Sequence, residues 1–507
     1  MRFSELLADL ALRGIRARRL TPEELDPDIP DLTQDTRQVP PGGLFVAISG
    51  SHVDGHDLVP DAVAAGAASV FVQHEMTLPA TVAAALVGDS REALAWAAAG
   101  LSGHPTEEMA MVGVTGTDGK STTCVLTVEA LRACGVAAGG MNSLEFRCLD
   151  EVERNTTYQT TLDAPLIQAR MRRLVDAGVD TAVLETTSHG IDQQRVAGVA
   201  YDVAAYTNLS HEHLDYHGTL ERYRETKLQL AELARQSPRK PGVAKSIVYN
   251  ADEPQWTELA TTPADQRLTY GIEAHADLRA VDIVASIEGI RFSALAGDQR
   301  VDVRLPLTGR FNVANALCAL GICLALGHPL ERAAAGLART KGLRGRMQVL
   351  DAGQPYAIVI DYAHTPDGLE KVLGELRPLT RGRLLTAFGA PGDRDATKRP
   401  LMGSAVAALA DEFVITSDDP RQESASEICA EIALGATSAG RVEGKDFEII
   451  VDRGQAIREI IRRARPGDTV LLAGKGHEDR LLVGADSLPW DEAAEATAAV
   501  QEAGTGA

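Results

Sequence analysis

Short apolar runs alternate with alanine- and leucine-rich segments of helical period along the whole chain. The clearest runs cover residues 44–48, 109–114, 181–184, 357–360 and 469–473. Strands that alternate with helical segments in this way form βαβ units, which build largely parallel sheets covered by helices. The pattern therefore predicts an α/β protein.

The length of the chain predicts several domains. A chain of 507 residues is too long for one compact core, and at roughly 150 residues per domain about three are expected. Breaks are indicated near 102–105, where a helical segment ends, and in the basic, glycine-containing segment 341–346. We therefore expect domains over residues 1–104, 105–342 and 343–507. The Ala/Gly-rich tail after Glu492 is low in complexity and is expected to fray.

Composition argues against several classes of function. Asp plus Glu at 71 against Lys plus Arg at 50 gives a formal charge of -21, which repels nucleic acids and anionic lipid surfaces. The six cysteines form no CxxC pair, so neither a disulfide framework nor a structural zinc site is expected. Acidic residues interrupt the candidate leader 1–20, and the apolar stretch 62–72 is shorter than the ~20 residues of a membrane span. We expect a cytoplasmic protein without membrane insertion.

A glycine-rich turn follows the second apolar run. The segment over 113–123 reads GVTGTDGKSTT, and helix-like residues come next. Backbone N–H groups at such a helix start bind phosphates, Lys120 can reach the outer phosphates, and the Ser121 hydroxyl can bind Mg²⁺. An ordinary glycine-rich turn is the alternative, but the preceding strand and the GKS order favour an ATP site. Its predicted loop contacts are Gly116, Thr117, Asp118, Gly119, Lys120, Ser121 and Thr122.

Two further polar segments are predicted to lie near that loop. Glu185 follows the run 181–184, where a carboxylate emerges at the carboxyl edge of the sheet and can bind a metal ion. The segment over 207–218 reads TNLSHEHLDYHG and is rich in histidine and acids. By itself it also fits zinc, whereas its lack of cysteine and the nearby loop favour Mg²⁺ or phosphate contacts.

Ordered motifs along nearly the whole chain resemble those of the Mur ligase family, most closely its UDP-N-acetylmuramoyl-tripeptide synthetase branch. They are DTR at 35–37, PG at 41–42, LFVA at 44–47, GTDGKST at 116–122, ETTSH at 185–189, TNL at 207–209, HLDYH at 213–217, GRFN at 309–312, DYAHTP at 361–366, GDRD at 392–395, DDPR at 418–421 and GKGHE at 474–478. The resemblance implies an N-terminal UDP-binding α/β domain, a central P-loop ATPase-like domain with a parallel sheet, and a C-terminal Rossmann-like domain.

The resemblance implies an ATP-dependent, amide-forming enzyme of peptidoglycan synthesis. It would join a diamino acid, by preference meso-2,6-diaminopimelate, to UDP-N-acetylmuramoyl-L-alanyl-D-glutamate through an acyl phosphate. We separately expect a monomer. Lysine and ornithine stay open, because Asp419 stands where diaminopimelate-adding relatives typically have asparagine. A nucleotide-binding scaffold without turnover and a folylpolyglutamate synthetase are poorer interpretations, since Lys120, Glu185 and the DDPR segment are all present.

The resemblance also implies roles for individual residues. In the family a lysine after the HLDYHG segment is carbamylated and helps to hold a second Mg²⁺; Lys227 matches it, although a solvated helix lysine is the simpler interpretation of the sequence alone. Ser121 and Glu185 would lie near the first ion.

The implied catalytic residues are Lys120, Glu185, His213 and Lys227. The remaining ATP contacts are Asn312, Arg346 and Asp361. Contacts to the UDP-muramoyl dipeptide are implied at Thr36, Ser51, His52, Val53, Thr160, Thr161, Thr187, Gln193 and Arg195. Contacts to the diamino acid are implied at Arg394, Asp418, Asp419, Pro420, Arg421, Gly474 and Glu478.

Overall fold

The computed structural model describes residues 1–50, 53–157, 159–210 and 212–505. The chain divides into two compact units. The first contains Met1–Arg279, Leu295–Gln299 and Ala314–Gly336, and the second contains Ala280–Ala294, Arg300–Val313 and Leu337–Ala507. Helices cover parallel-rich sheets in both units, so the predicted α/β class is confirmed.

The N-terminal sheet belongs to the first unit. Its strands are β1 (Ala17–Arg19), β2 (Leu32–Thr33), β3 (Leu44–Val46), β4 (Ser69–Val72) and β5 (Ala83–Val87). They lie in the order β1-β5-β4-β3-β2, with only the edge strand β1 antiparallel to its neighbour. The helices of this part are α1 (Phe3–Leu12), α2 (Val59–Ala64) and α3 (Ser90–Leu101). Side chains alternate across the sheet: Val46 and Phe71 pack with α1 and α3, whereas Phe45 and Val70 pack with α2.

A second sheet forms the centre of the first unit. Its strands there are β6 (Ala110–Thr115), β7 (Ala138–Met141), β8 (Glu145–Cys148), β9 (Glu151–Arg154), β10 (Thr181–Glu185), β11 (Val203–Tyr206), β12 (Ser246–Asn250) and β13 (Gln266–Gly271). The parallel part has the order β13-β12-β11-β6-β10-β7, and β8 and β9 add an antiparallel extension. Because β6 lies between β10 and β11, the loops that follow these strands meet at one carboxyl edge.

Between residues 120 and 337, the described part of the chain also contains seven helices and three further strands. The helices are α4 (Lys120–Ala133), α5 (Ala164–Asp176), α6 (Ser188–Asp192), α7 (Leu214–His217), α8 (Leu220–Gln236), α9 (Phe311–Ala325) and α10 (Leu330–Leu337). The strands are β14 (Leu278–Ser286), β15 (Gly289–Ala296) and β16 (Gln299–Leu305), most of whose residues belong to the second unit. Short 3-10 turns occur at Thr36–Gln38, Pro105–Glu107, Pro254–Ala260 and Arg377–Leu379.

The second unit is built on a sheet covered on both faces. Its strands are β17 (Gln348–Leu350), β18 (Ala357–Asp361), β19 (Leu384–Phe388), β20 (Glu412–Ile415), β21 (Phe447–Ile449) and β22 (Thr469–Ala473). Their order is β17-β18-β22-β19-β20-β21, with only β17 antiparallel to its neighbour. One face packs on α11 (Pro366–Leu376), α12 (Lys398–Leu409) and α13 (Ala425–Ser438), and the other on α14 (Arg453–Arg463) and α15 (Glu492–Thr505). A hairpin of β23 (Arg480–Val483) and β24 (Asp486–Pro489) follows β22.

The prediction that the tail frays after Glu492 is wrong, because α15 packs on the second unit. Ala496 and Ala499 are buried against Ile457 of α14. At the start of the helix, the carboxylate of Glu492 pairs with the buried guanidinium of Arg453 at 2.5 Å. Small alanine side chains thus form a close helix contact here. Among the described residues, no helix has both the length and the apolar character needed to cross a membrane.

Candidate active site

The glycine-rich loop joins β6 to α4 in a conformation that two glycines permit. Gly116 and Gly119 have φ of +143° and +81°, and a Cβ at either position would overlap a neighbouring side chain, Thr207 or Asn315. Alanine is therefore excluded at both positions on conformational and steric grounds. The loop ends at Lys120, where α4 begins, so its backbone N–H groups and the positive end of the helix dipole can attract a phosphate.

The segment after β11 holds this loop in place. The carbonyl of Asn208 accepts a hydrogen bond from the N–H of Thr117 at 2.8 Å, and its side-chain oxygen accepts from the N–H of Asp118 at 2.9 Å. The ammonium of Lys120 donates to the carbonyl of Thr117 at 2.5 Å. Thr122 is buried on the first turn of α4. All seven predicted residues thus lie in the loop or in the first turn of α4, at the carboxyl edge of the sheet.

Ser121 and Glu185 are connected through Ser143, which the sequence analysis missed. Glu185 ends β10, is 2% exposed, and accepts a hydrogen bond from the N–H of Ser143 at 2.8 Å. The hydroxyl oxygens of Ser143 and Ser121 lie 2.7 Å apart. Ser143 closely follows β7, the strand beside β10. A hydroxyl residue just after a parallel strand is the sequence feature that could have predicted its place in this site. The three residues gather hydroxyl and carboxylate oxygens at one point.

Lys227 is a buried residue of α8, not a solvated one. Its ammonium is packed over the ring of Tyr223, 4.3 Å from the centroid, and donates to the carbonyl of Gly116 at 2.7 Å. The residue is 1% exposed. Burial lowers the pKa of Lys227 well below the ordinary value of lysine, and the positive charge of Lys120 lowers it further. The amine is therefore predisposed to the neutral, nucleophilic form.

His213 lies near these groups within a cluster of aromatic rings. Its backbone has φ of +55°, and its ring centroid is 4.7 Å from that of His189. Its Nε2 lies 3.8 Å from a carboxylate oxygen of Glu212. In the same cluster, Nε2 of His217 is 3.0 Å from the hydroxyl of Ser188. The histidine-rich segment is thus brought next to the loop that follows β10.

Four residues predicted to bind the UDP-muramoyl dipeptide form one network beside Glu185. The hydroxyl of Thr161 donates to the carbonyl of Glu185 at 2.9 Å and accepts from the N–H of Thr187 at 3.0 Å. The guanidinium of Arg195 donates to the carbonyl of Thr161 at 2.8 Å and to the side chain of Gln193 at 2.6 Å. Binding residues predicted from separate motifs are therefore physically joined.

The other predicted contacts to the UDP-muramoyl dipeptide are less closely connected. Thr160 is half-buried next to Thr161. Thr36 begins a 3-10 turn and Val53 is exposed; in the described part of the chain, no hydrogen bond joins either of them to the network. Ser51 and His52 lie outside the described residues.

In the second unit, three predicted diamino-acid contacts surround a buried lysine. Carboxylate oxygens of Asp418, Asp419 and Glu478 lie within 4.8 Å of one another. The ammonium of Lys475 is 2.8 Å from Asp419 and 3.7 Å from Asp418, and it also pairs with Glu478. Burial alone would lower the pKa of Lys475, but the negative charges of Asp418, Glu478 and Asp419 raise it overall. The sequence analysis missed Lys475, although it stands inside the GKGHE motif.

Of the remaining predicted diamino-acid contacts, Pro420, Arg421 and Gly474 adjoin this cluster along the chain, and Arg394 does not. Arg421 has φ of +53°, and its Nε is buried without a hydrogen-bond partner among the described residues. Gly474 has φ of +112°, and a Cβ there would lie 2.8 Å from a carboxylate oxygen of Asp418. The carbonyl of Pro420 accepts from the N–H of Glu423 at 3.0 Å, and Arg394 is exposed.

The three further predicted ATP contacts also belong to the second unit. Asn312 donates from its side chain to the carbonyl of Thr308 at 2.7 Å. Asp361 accepts from the N–H groups of Met347 and Ala363 at 2.7 and 2.8 Å. The guanidinium of Arg346 lies 4.6 Å from the centroid of the Tyr362 ring. Asn312 and Asp361 are buried, so their side chains are held in fixed positions.

Comparison with known proteins identifies the class of this fold and site. Three family profiles match in succession: "Mur ligase family, catalytic domain" over residues 29–110, "Mur ligase middle domain" over 114–323 and "Mur ligase, glutamate ligase domain" over 345–476. A UDP-N-acetylmuramyl-tripeptide synthetase from Roseiflexus sp. (strain RS-1) is 44% identical over 494 residues, which is 95% of this chain and 96% of the relative.

A second relative and a solved structure agree with these matches. The UDP-N-acetylmuramoyl-L-alanyl-D-glutamate–2,6-diaminopimelate ligase of Bacillus licheniformis is 39% identical over 478 residues, covering 94% of this chain and 96% of its own. A solved structure of a ligase with that same name superposes with a TM-score of 0.66 at 30% identity, covering 94% of this chain and 95% of the other. The protein is an ATP-dependent ligase by class. Within that class, the chain belongs to the Mur ligase family, and the resemblance is confirmed.

Proposed function

We propose that this enzyme uses ATP to join a diamino acid, by preference meso-2,6-diaminopimelate, to UDP-N-acetylmuramoyl-L-alanyl-D-glutamate. The observation that carries the proposal is the convergence of the phosphate loop, Glu185 and Lys227. Lys227 donates to the carbonyl of Gly116 within the loop, and Glu185 is joined to Ser121 through Ser143. The names of the two relatives above support the choice of substrates.

Binding of the ATP phosphates is assigned to the loop and the start of α4. The backbone N–H groups provide fixed donors, and Lys120 would exchange its contact with the carbonyl of Thr117 for a phosphate oxygen. Ser121 and Glu185 would hold a first Mg²⁺, and His213 and Lys227 a second. The hydroxyl and carboxylate oxygens fit this hard cation. When bound, Mg²⁺ offsets the negative charge that accumulates on the phosphates.

A carbamate on Lys227 would supply the oxygen ligand that an amine lacks. The neutral amine attacks carbon dioxide, an N–C bond forms, and one proton leaves to water, so that the neutral amine becomes an anionic carboxylate-like group. Burial of Lys227, which lowers the pKa of its amine, supports this step because only the neutral form is nucleophilic. The positive charges of Lys120 and the metal ions would stabilise the product.

The network of Thr161, Thr187 and Arg195 is assigned to hold the dipeptide end of the UDP-muramoyl substrate beside Glu185. An oxygen of the glutamyl carboxylate attacks the γ-phosphorus of ATP and ADP leaves, which gives an acyl phosphate. The amine of the diamino acid then attacks the acyl carbon. A tetrahedral intermediate expels phosphate, the nitrogen loses a proton, and the amide remains.

The cluster in the second unit is assigned to the diamino acid. Asp418 and Glu478 offer carboxylates to a distal ammonium, and Arg421 offers a guanidinium to a distal carboxylate. Diaminopimelate carries both groups, whereas lysine and ornithine carry only the ammonium. Asp419 would repel a carboxylate if it were unpaired, but Lys475 lies 2.8 Å away and offsets part of its charge, while it also pairs with Glu478. Diaminopimelate is therefore the first choice, with lysine or ornithine as the alternative.

A ligation assay tests the proposal. The purified protein is incubated with ATP, Mg²⁺, the UDP-muramoyl dipeptide and each of the three diamino acids, and phosphate and the UDP-muramoyl tripeptide are measured. Lys120→Ala should abolish both products and keep the fold, because it removes a cation from the phosphate site and no core contact. Lys445→Ala, at an exposed lysine, is the control and should behave like the wild type. Ligation of none of the three acids would refute the proposed function.

Four further features are also part of the proposal: the domain boundaries, the location, the binding of nucleic acid and the oligomeric state. We infer domains over residues 1–104, 105–342 and 343–507, and the profile matches over 29–110, 114–323 and 345–476 support these boundaries. We also infer that the protein is cytoplasmic, that it does not bind nucleic acid, in keeping with the formal charge of -21, and that it is a monomer. Light scattering on the purified protein measures the mass, and a dimer would contradict the last inference.

A further inference from the structure

A polar cavity of the first unit contains an arginine that has no role in the function proposed above. The cavity has a volume of about 240 Å³. Its polar lining consists of Gln34, Arg91, Gln159, Asp163, Gln193 and Arg195. Arg91 and Leu94 line it from α3 of the N-terminal part, and Gln193 and Arg195 from the segment after α6. The N-terminal part, before residue 105, and the part that follows it therefore both contribute to the lining of this cavity.

Asp163, the acid in this lining, is already paired. One of its carboxylate oxygens accepts a hydrogen bond from the side chain of Gln34 at 3.1 Å, and the other lies 3.5 Å from Arg195. Arg195 also donates to Thr161 and Gln193. The charges of Asp163 and Arg195 thus offset each other, and each of the two side chains is held in a fixed position.

Because Asp163 pairs with Arg195, the positive charge of Arg91 has no compensating carboxylate in the described part of the cavity lining. Within the described residues, no carboxylate pairs with its guanidinium, and its hydrogen bond is a long one, 3.4 Å to the carbonyl of Ser49. Burial raises the pKa of Tyr216, and the positive charge of Arg91 opposes that rise. Gln193, whose side chain contacts the Tyr216 hydroxyl, lines the same cavity as Arg91. An uncompensated cation in a chain of formal charge -21 points to an anionic ligand.

We propose that Arg91 binds an oxyanion of the UDP-muramoyl dipeptide in this cavity and so helps to position the substrate. The inference rests on the proposed function, because that function brings the substrate to Gln193 and Arg195. A guanidinium with free N–H donors binds either a carboxylate or a phosphate in two-point geometry. The substrate carries both kinds of group, the two carboxylates of its terminal glutamate and the phosphates of its UDP part.

Binding measurements on the full chain test this role. Dissociation constants for the UDP-muramoyl dipeptide are measured by calorimetry for the wild type, Arg91→Ala, Arg91→Lys and Arg18→Ala. Arg18 is an exposed arginine of β1 that pairs with Glu75, and it serves as the matched control. Arg91→Ala should weaken binding roughly 10- to 100-fold, and Arg91→Lys less. In the ligation assay, KM for the dipeptide substrate should rise while KM for ATP stays within about twofold.

A second ligand distinguishes the two sources of the oxyanion. UDP-N-acetylglucosamine carries the diphosphate and no carboxylate. If Arg91→Ala weakens its binding as well, the oxyanion is a phosphate; if only the dipeptide is affected, it is a carboxylate. Unchanged binding of both ligands by a folded Arg91→Ala, while the wild type ligates normally, would overturn the inference and leave the proposed function standing. A wild type that neither binds nor ligates the dipeptide would overturn both.

Discussion

Lys120, Lys227 and Lys475 illustrate how the surroundings of one residue type set its chemistry. Lys120 lies at a helix start, and its ammonium donates a hydrogen bond to a backbone carbonyl. This ammonium can exchange that carbonyl for a phosphate oxygen. Burial lowers the pKa of the amine of Lys227. Carboxylates raise the pKa of Lys475, which remains a cation. We therefore propose three roles for the same side chain: phosphate ligand for Lys120, nucleophile for Lys227 and fixed counter-ion for Lys475.

Substitution of Lys227 should remove both activity and a carbamate. Alanine at this position eliminates the amine that reacts with carbon dioxide, so ligation should fall at least about 100-fold, the scale of a lost charge-stabilising group. With carbon-13 bicarbonate, the wild type should show a carbamate resonance by NMR and Lys227→Ala should not. Lys445→Ala should retain the resonance. A fully active Lys227→Ala, or a resonance that persists in it, would contradict the assignment.

Selection of the diamino acid should depend on Arg421 more than on Asp419. Loss of a charge-assisted pair is worth about 1.5–3 kcal/mol, so Arg421→Ala should raise KM for diaminopimelate roughly 10- to 150-fold and leave KM for ATP nearly unchanged. Asp419→Asn should alter the preference among diamino acids much less, because this carboxylate already pairs with Lys475. Values of kcat/KM for diaminopimelate, lysine and ornithine decide the matter. A wild-type preference for lysine or ornithine would refute the first choice of substrate.

At the scale of elements, the position of β11 beside β6 depends on a buried ion cluster. Asp202, just before β11, accepts hydrogen bonds from the N–H of Met111 at 2.8 Å and from the ammonium of Lys240 at 2.5 Å. The ammonium of Lys245 lies 3.0 Å from its other oxygen. Since Met111 belongs to β6, the carboxylate connects both strands whose loops form the proposed phosphate site. The cluster therefore stabilises the sheet on which that site is built.

Asp202→Asn should destabilise the first unit without changing any predicted ligand contact. Removing one partner from a buried ion pair costs about 3–5 kcal/mol, because the remaining lysines keep their burial and lose their counter-ion. Urea unfolding followed by circular dichroism measures the free energy of unfolding. Asp298→Asn, at an exposed acid of the same unit, is the control and should change it by less than about 0.5 kcal/mol. If Asp202→Asn also changed the free energy of unfolding by less than about 0.5 kcal/mol, the cluster would contribute little to stability.

Local patterns allowed some elements to be predicted and not others. The runs 181–184 and 469–473 lie in β10 and β22, since strand periodicity and turn residues are properties of neighbouring residues. The helical tail α15 was missed because its stability comes from contacts with α14, far away in the sequence. Ser143 and Lys475 were not predicted because their roles also depend on residues distant in sequence. Their roles arise from the side chains that the fold brings to them.

For the whole molecule, the two units divide the predicted contacts between them. Residues assigned to the UDP-muramoyl dipeptide, such as Thr161 and Arg195, belong to the first unit, and those assigned to the diamino acid belong to the second. Within the second unit, Asp418, Asp419, Glu478 and Lys475 already form a connected cluster. A preformed cluster binds its ligand without a large cost of ordering.

Each substrate should therefore protect its own unit from amide hydrogen exchange. A ligand that binds the folded form suppresses local opening around its contacts by mass action. The UDP-muramoyl dipeptide alone should slow exchange in peptides that cover 159–163 and 187–195, and leave 418–421 and 474–478 at the rates of the free protein. Diaminopimelate alone, at millimolar concentration, should do the reverse, and Arg421→Ala should cancel its effect. Mass spectrometry of the exchanged peptides measures these rates. Protection of both sets by either ligand would contradict the division, because it would require that one substrate orders contacts in both units.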